Sequence, residues 1–138
     1  MSIQIKAEVE AKPIFFTLPE LLQPLRRHEV LQTIRSRTEL ERWGYKVGDT
    51  VRVMHSNQFL GQAKITDIIP TTIGELTEDD AKLGGLALDA LKGHLRIFFR
   101  FVNDFEEHTI FKIRLEYRAR ALRACSRISV PCLPLSNI

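Results

Sequence analysis

Nine residues near the C-terminal end constrain the fold most. From Thr109 to Tyr117 the chain reads Thr-Ile-Phe-Lys-Ile-Arg-Leu-Glu-Tyr. Thr109, Phe111, Ile113, Leu115 and Tyr117 share one face, and Lys112, Arg114 and Glu116 share the other. A period of two with one apolar face and one charged face marks a half-buried strand. Its apolar face has to be covered, so the chain is expected to be built around a sheet with helices or further strands packed on it.

The same period recurs upstream. Ile3, Ile5, Ala7 and Val9 alternate with Gln4, Lys6, Glu8 and Glu10, which reads as a strand and not as a signal peptide. Pro13 to Phe16 reads as a second, short extended piece. Glu29 to Arg37 reads as a strand with Val30 and Ile34 on one face and Leu31, Thr33, Arg35 and Arg37 on the other. After the Gly48-Asp49 turn signal, Val51 and Val53 alternate with Thr50 and Arg52. Phe59 to Ile69 is the expected hairpin partner, turning through Ser56-Asn57. The alternation slips near Asp67 and Ile68, so a bulge is expected there.

Helix signals fall between these strands. Thr17 ahead of Leu18 and Pro19 reads as a cap followed by a first-turn proline, with Pro24 limiting the helix to about two turns. Thr77 followed by Glu78, Asp79 and Asp80 is a cap with three acids set against the helix dipole, and Gly84-Gly85 ends that helix. Leu86 to Lys92 reads as another short helix, with Leu88 and Leu91 toward the core and Gly93 at its end. Ile97 to Phe101 is apolar and expected to be buried. In the last stretch Arg120, Arg123 and Arg127 would line one helix face, but Pro131 and Pro134 forbid a long helix. The expected organisation is one domain over residues 1–118 and a frayed basic tail over 119–138.

No run reaches the ~18 apolar residues that cross a bilayer, so no membrane association and a cytoplasmic location are expected. The two cysteines, Cys125 and Cys132, match no zinc spacing and read as reduced thiols. His28, His55, His94 and His108 are scattered, and no phosphate loop or nucleophile elbow is present. No metal and no cofactor are implied. The net charge of +3 rests on thirteen arginines against seven lysines. Guanidinium groups bind phosphate in a fork and stack on bases, which suits a nucleic-acid partner.

Three segments carry a family resemblance. Lys46-Val47-Gly48-Asp49-Thr50-Val51-Arg52-Val53, then Gly61-Gln62-Ala63-Lys64-Ile65-Thr66-Asp67-Ile68, then Gly74-Glu75-Leu76-Thr77-Glu78-Asp79-Asp80-Ala81, resemble the ASCH domain, one of the PUA-like β-barrels. The resemblance spans about Phe15 to Tyr117. It implies an α+β fold: a small PUA-like barrel of about five to seven mostly antiparallel strands with two or three short helices. It also implies a role in RNA metabolism, since PUA-like barrels commonly bind RNA and some small ASCH proteins hydrolyse N4-acetylcytidine or RNA. The family's Gly-x-Lys-x-x-Glu-x-Arg segment covers His28 to Arg35. The arginine is kept as Arg35, while Thr33 stands for the glutamate, Val30 for the lysine and His28 for the glycine. Of the lysine, threonine and glutamate proposed for the amidohydrolases, only the threonine has a counterpart, Thr33; the glutamate falls near Gly84.

Two functions of different class follow, with a third behind them. The first is an RNA- or nucleotide-binding module with a basic cleft formed by Arg26, Arg27, Thr33, Arg35, Arg37 and Arg52. Four of those arginines fall between positions 26 and 37. Arg35 and Arg37 are expected either at a barrel mouth or paired with acids such as Glu39 or Glu41, because an unpaired buried arginine is costly. Trp43 and Tyr45 are candidates for base stacking. The second function is a small hydrolase acting on a modified nucleoside or on RNA, with Thr33 as its catalytic residue and an acid among Glu75, Glu78, Asp79 and Asp80. The third is a protein-interaction module displaying Phe98, Phe99 and Phe101. Convergence of Thr33, Arg35 and an acid on one concave site separates them.

Overall fold

The nine alternating residues form β5 (Thr109–Tyr117), and the sheet is assembled around it. In the computed structural model, which describes residues 11–118, β5 pairs antiparallel with β4 (Gln58–Thr72) on one side and with β2 (Gln32–Arg35) on the other. The hairpin partner of β4 is β3 (Thr50–His55), also antiparallel. Outside it lies β1 (Lys12–Phe16), which runs parallel to β3. The order across the sheet is β1-β3-β4-β5-β2. Five strands, mostly antiparallel, agree with the expectation. The expected slip near Asp67 is present as a register shift between Ile65 and Asp67. The strand read at Ile3 to Val9 and the basic tail from 119 lie outside the described residues.

Four short α-helices fill the connections, one more than expected: α1 (Leu22–Arg26), α2 (Arg37–Trp43), α3 (Glu78–Leu83) and α4 (Leu88–Phe98). A single 3-10 turn, Pro19–Leu21, leads into α1. The residue before it is Leu18, so Thr17 does not cap it. Pro24 sits in the first turn of α1, where its missing N–H would have had no partner in any case.

Four readings are corrected. Arg37 is not on a strand but opens α2, because Ser36 accepts a hydrogen bond from the Glu39 N–H at 3.1 Å and starts a helix directly after β2. Val30 and Ile34 do not share a core: Val30 lies with Ile14, Val53 and Ile113, whereas Ile34 packs on Ile73, Leu76, Leu95 and Ile110. Gly93 does not end its helix. A glycine stops a helix by taking a left-handed conformation; here α4 continues to Phe98, and the space beside Gly93 is open. Ile97 to Phe101 is mostly exposed: Ile97 is 64% exposed, Phe98 65% and Phe101 87%, while Phe99 packs against Ile73, Leu76, Leu95 and Ile110.

The capped helix fixes β2 in place. Thr77 and Asp80 form a capping box at the start of α3. The Asp80 carboxylate, nearly buried, accepts from the Thr77 N–H at 3.0 Å, from Gln32 Nε2 at 3.1 Å and from Lys112 Nζ at 3.1 Å. Arg114 Nε donates to the other end of the Gln32 amide at 2.9 Å. One carboxylate thus joins α3 to β2 and β5. Burial alone would raise its pKa, but the bonds from Thr77, Gln32 and Lys112 together hold it below the usual carboxylate value.

A group with a lowered folded pKa stabilises the protein above its unfolded pKa of about 3.9 and loses that contribution as the pH falls through the folded value. Asp80→Ala is expected to destabilise the fold by about 3 kcal/mol at neutral pH, as removal of one partner from a buried ion pair does. Urea unfolding of both proteins between neutral and acid pH should show the gap between them closing below about pH 4; a gap that stays constant would deny the carboxylate this role.

Candidate functional site

The two edges of the sheet, β1 and β2, are four places apart in the strand order but meet in space. A side chain joins them. Arg35, at the end of β2, donates from Nη2 to the Phe15 carbonyl of β1 at 2.8 Å. Its Nη1 donates to Glu39 Oε2 at 2.7 Å, an ion pair across the junction of β2 and α2. The guanidinium lies over the Phe16 ring, 5.0 Å from its centre. The sheet is thereby curled into a barrel-like form whose last gap is closed by a guanidinium and not by a backbone ladder.

A cavity of about 600 Å³ lies at that gap. Its walls come from β1, β2, the first turn of α2, the turn at Gly84 and one side of α4. Phe15, Phe16, Ile34, Leu91 and Leu95 make the wall mostly apolar. Thr33, Arg35, Glu39, His94 and Arg100 supply polar groups. At the rim His94 Nε2 lies 3.0 Å from Glu20 Oε2. The Glu20 carboxyl is held below its ordinary pKa by its own backbone N–H and by His94. Arg100 donates to the Ile97 carbonyl at 3.0 Å and lies over the exposed Phe101 ring.

The residues singled out by sequence separate into two groups. Thr33 and Arg35 line the cavity. Arg26 and Arg27 are exposed at the end of α1, where Arg27 pairs with Glu29 at 3.0 Å. Arg37 is exposed and lies over the Phe111 ring of β5, 5.1 Å from its centre. Arg52, on β3, donates to the Ala11 carbonyl at 3.1 Å. Tyr45 is buried behind Arg35, its hydroxyl donating to the Pro13 carbonyl at 2.6 Å, and burial pushes its pKa up to about 12. Trp43 packs on the core near Phe15. None of these other residues lines the cavity.

The carboxylate that does reach the cavity is Glu39. Asp80 is bound to Thr77, Gln32 and Lys112, Glu75 accepts from Thr71, and Glu78 and Asp79 are exposed at the start of α3. Val30 is buried in the core, while Gly84 lines the cavity. A Cβ at Gly84 would stand 3.2 Å from the Gln32 carbonyl, so the close approach of α3 to β2 favours glycine there. His28 has φ of 58°, the left-handed conformation that glycine adopts most readily. Its ring stacks on Tyr117 at 4.4 Å and bonds to the Leu60 carbonyl. Among the described residues, no three His, Cys, Asp or Glu side chains group as metal ligands would, and no helix is long and apolar enough to cross a membrane.

Arg35→Ala removes the bridge between the edges and leaves the Glu39 carboxylate without its cation. The expected cost is about 3 kcal/mol, the low end for a broken buried pair because Glu39 keeps partial exposure. Arg35→Lys keeps the charge but cannot reach both partners with a fork, and should fall between. Chemical unfolding checks the order; an alanine variant as stable as the parent would show that the edges hold without the guanidinium.

No family model matches the sequence, and no curated protein matches it. Solved structures do. An ASCH domain from Lactobacillus crispatus JV V101 superposes with a TM-score of 0.61 at 15% identity, covering 85% of this chain and 86% of that one. A DUF984-family protein from Enterococcus faecalis V583 superposes with a TM-score of 0.57 at 17% identity, covering 70% of this chain. This chain spans 65% of the length of that second protein. At these identities the likeness is one of fold: the chain has an ASCH-like, small α+β barrel fold.

Proposed function

We propose that the protein is a binding domain for RNA or a free nucleotide, and that it takes a single base into the cavity between β1, β2 and α4. The observation that carries this reading is the convergence of Thr33, Arg35 and Glu39 on one apolar-walled cavity. Its volume of about 600 Å³ falls within the ~300–1,000 Å³ usual for small-molecule sites. The exposed Phe15 ring of β1 suits a flat aromatic group, and the few polar side chains suit its edge. The exposed Arg26, Arg27 and Arg37 are available to phosphates outside the cavity.

Binding is favoured over hydrolysis by the wall itself. Acyl transfer needs a nucleophile, a proton acceptor and an oxyanion partner. Thr33 is present, but among the described residues no lysine lines the cavity, Gly84 offers no side chain, Glu39 is held by Arg35, and the imidazole of His94 is bonded to Glu20 at the rim. The exposed Ile97, Phe98 and Phe101 favour a second reading, a protein-interaction surface at the same mouth.

Titration of the protein with nucleosides and with a short single-stranded RNA, at two salt concentrations, tests the proposal. Nucleoside binding is expected to change little with salt. RNA binding is expected to weaken, with a slope of about −0.7 per phosphate contacted. Thr33→Val should weaken the nucleoside about fivefold, the worth of one hydrogen bond. The double substitution Arg26→Ala, Arg27→Ala should weaken RNA and leave the nucleoside unaffected. Absence of binding by both probes at low salt would remove the base-site reading and leave the apolar mouth as a protein contact.

A further inference from the structure

The cavity wall carries a hydrogen-bonding group that the protein leaves partly unsatisfied. A guanidinium has five N–H donors. Arg35 gives one to Glu39 and one to the Phe15 carbonyl. The residue is 9% exposed and lines the cavity; among the described residues its Nε has no partner and almost no exposed surface, so the donors left for a ligand are the remaining N–H groups on Nη1 and Nη2. Few buried donors in native proteins are left in that state, and those that are call for an explanation.

The charge of Arg35, by contrast, is already matched. With Glu39 Oε2 at 2.7 Å, the two side chains present a dipole and no net charge to the cavity. An anion drawn to the guanidinium meets the carboxylate as well. It would give up its hydration for attraction that the neighbouring repulsion largely cancels. A neutral carbonyl oxygen can accept from the free N–H groups without that loss. The remaining cation on the wall, Arg100, is exposed and bonded to the Ile97 carbonyl. His94 faces Glu20.

We infer that the ligand presents an uncharged carbonyl oxygen to the Arg35 guanidinium, and that phosphate is not what this arginine binds. This rests on the base-site reading to the extent that the entering group is then the carbonyl edge of a nucleobase, with any phosphate left outside the cavity. Glu39 becomes a specificity residue: it sets the charge that the site accepts, by pairing with the arginine that makes the contact.

Calorimetric titration of the full chain with uridine, uridine 5′-monophosphate, inorganic phosphate and benzamide separates the two levels. Uridine and its monophosphate are expected to bind within about fivefold of each other, the most that an exposed charge such as Arg100 adds, and inorganic phosphate should not displace uridine. A monophosphate bound far more tightly than uridine, or displacement by phosphate, would overturn the inference while leaving a base site in place. Benzamide bound without either nucleoside or nucleotide would support the carbonyl contact and overturn the base-site reading. No binding by any of the four would overturn both. A second measurement leaves Arg35 intact. Glu39→Gln keeps an acceptor for Nη1 but removes the negative charge. It should raise the preference for monophosphate over uridine about tenfold, a 1.4 kcal/mol change; an unchanged preference in the folded variant would overturn the inference.

Discussion

The bond from Arg35 to the Phe15 carbonyl is the contact on which the rest of the structure turns. The sheet begins at β1 and ends at β2, and neither edge has a strand beyond it among the described residues. A fully closed barrel would join such edges by a ladder of backbone bonds. Here one guanidinium reaches from the last residue of β2 to the carbonyl of β1, and rests on the Phe16 ring as it does so. Desolvating that guanidinium is costly, and the cost is offset by Glu39. Glu39 in turn is placed by Ser36, which turns the chain into a helix as soon as β2 ends. Closure, ion pair and helix start are therefore one local device, built from residues 35 to 39.

The other end of β2 is held separately. Gln32 is fully buried and bridges Asp80 to Arg114. The Leu31 N–H donates to the Leu83 carbonyl at the end of α3, which adds a backbone contact beside it. A four-residue strand has little ladder of its own, and β2 is an edge. Polar networks at both ends compensate, and they leave Thr33 between two fixed points. This is the arrangement a binding residue needs, since a side chain is only as well placed as the element that carries it.

Much of the sheet was legible in the sequence, because strand faces that differ in polarity leave a period of two. Tyr117 to Thr109 and the Val51 to Ile69 hairpin have that contrast, and the bulge announced itself as a break in it. Thr77 with three following acids marked α3 for the same reason: its cap is local. Other features failed where the decisive interaction was not local or the local signal was passed over. Ser36 and Glu39 form the S-x-x-E pattern of a helix start, yet the apparent alternation through Arg37 masked it. Ile97 to Phe101 reads as core by composition alone, although apolar residues also line cavities and mouths. Glu39 was foreseen only as an alternative partner for Arg35, and its place in the cavity depends on the curl of the sheet. His94, on α4, and Arg100, in the turn after it, reach the same wall from more than fifty residues downstream of β2.

Placing a cavity at the closure of a barrel has a physical consequence. The groups that hold the edges together are the groups a ligand would touch, so stability and affinity draw on the same contacts. Arg35 cannot be optimised for one without altering the other: satisfying its remaining donors from within the protein would tighten the barrel and remove the polar feature that distinguishes this wall from plain apolar surface. A ligand that completes those bonds would act as part of the closure, and would raise the stability of the fold with the logarithm of its concentration over its Kd. Val30 and Gly84 fit the same picture. A buried valine strengthens the core beside β2, and a glycine lets α3 approach it closely. Both residues favour a rigid frame around Thr33 and Arg35, and neither contributes a group that could move a proton.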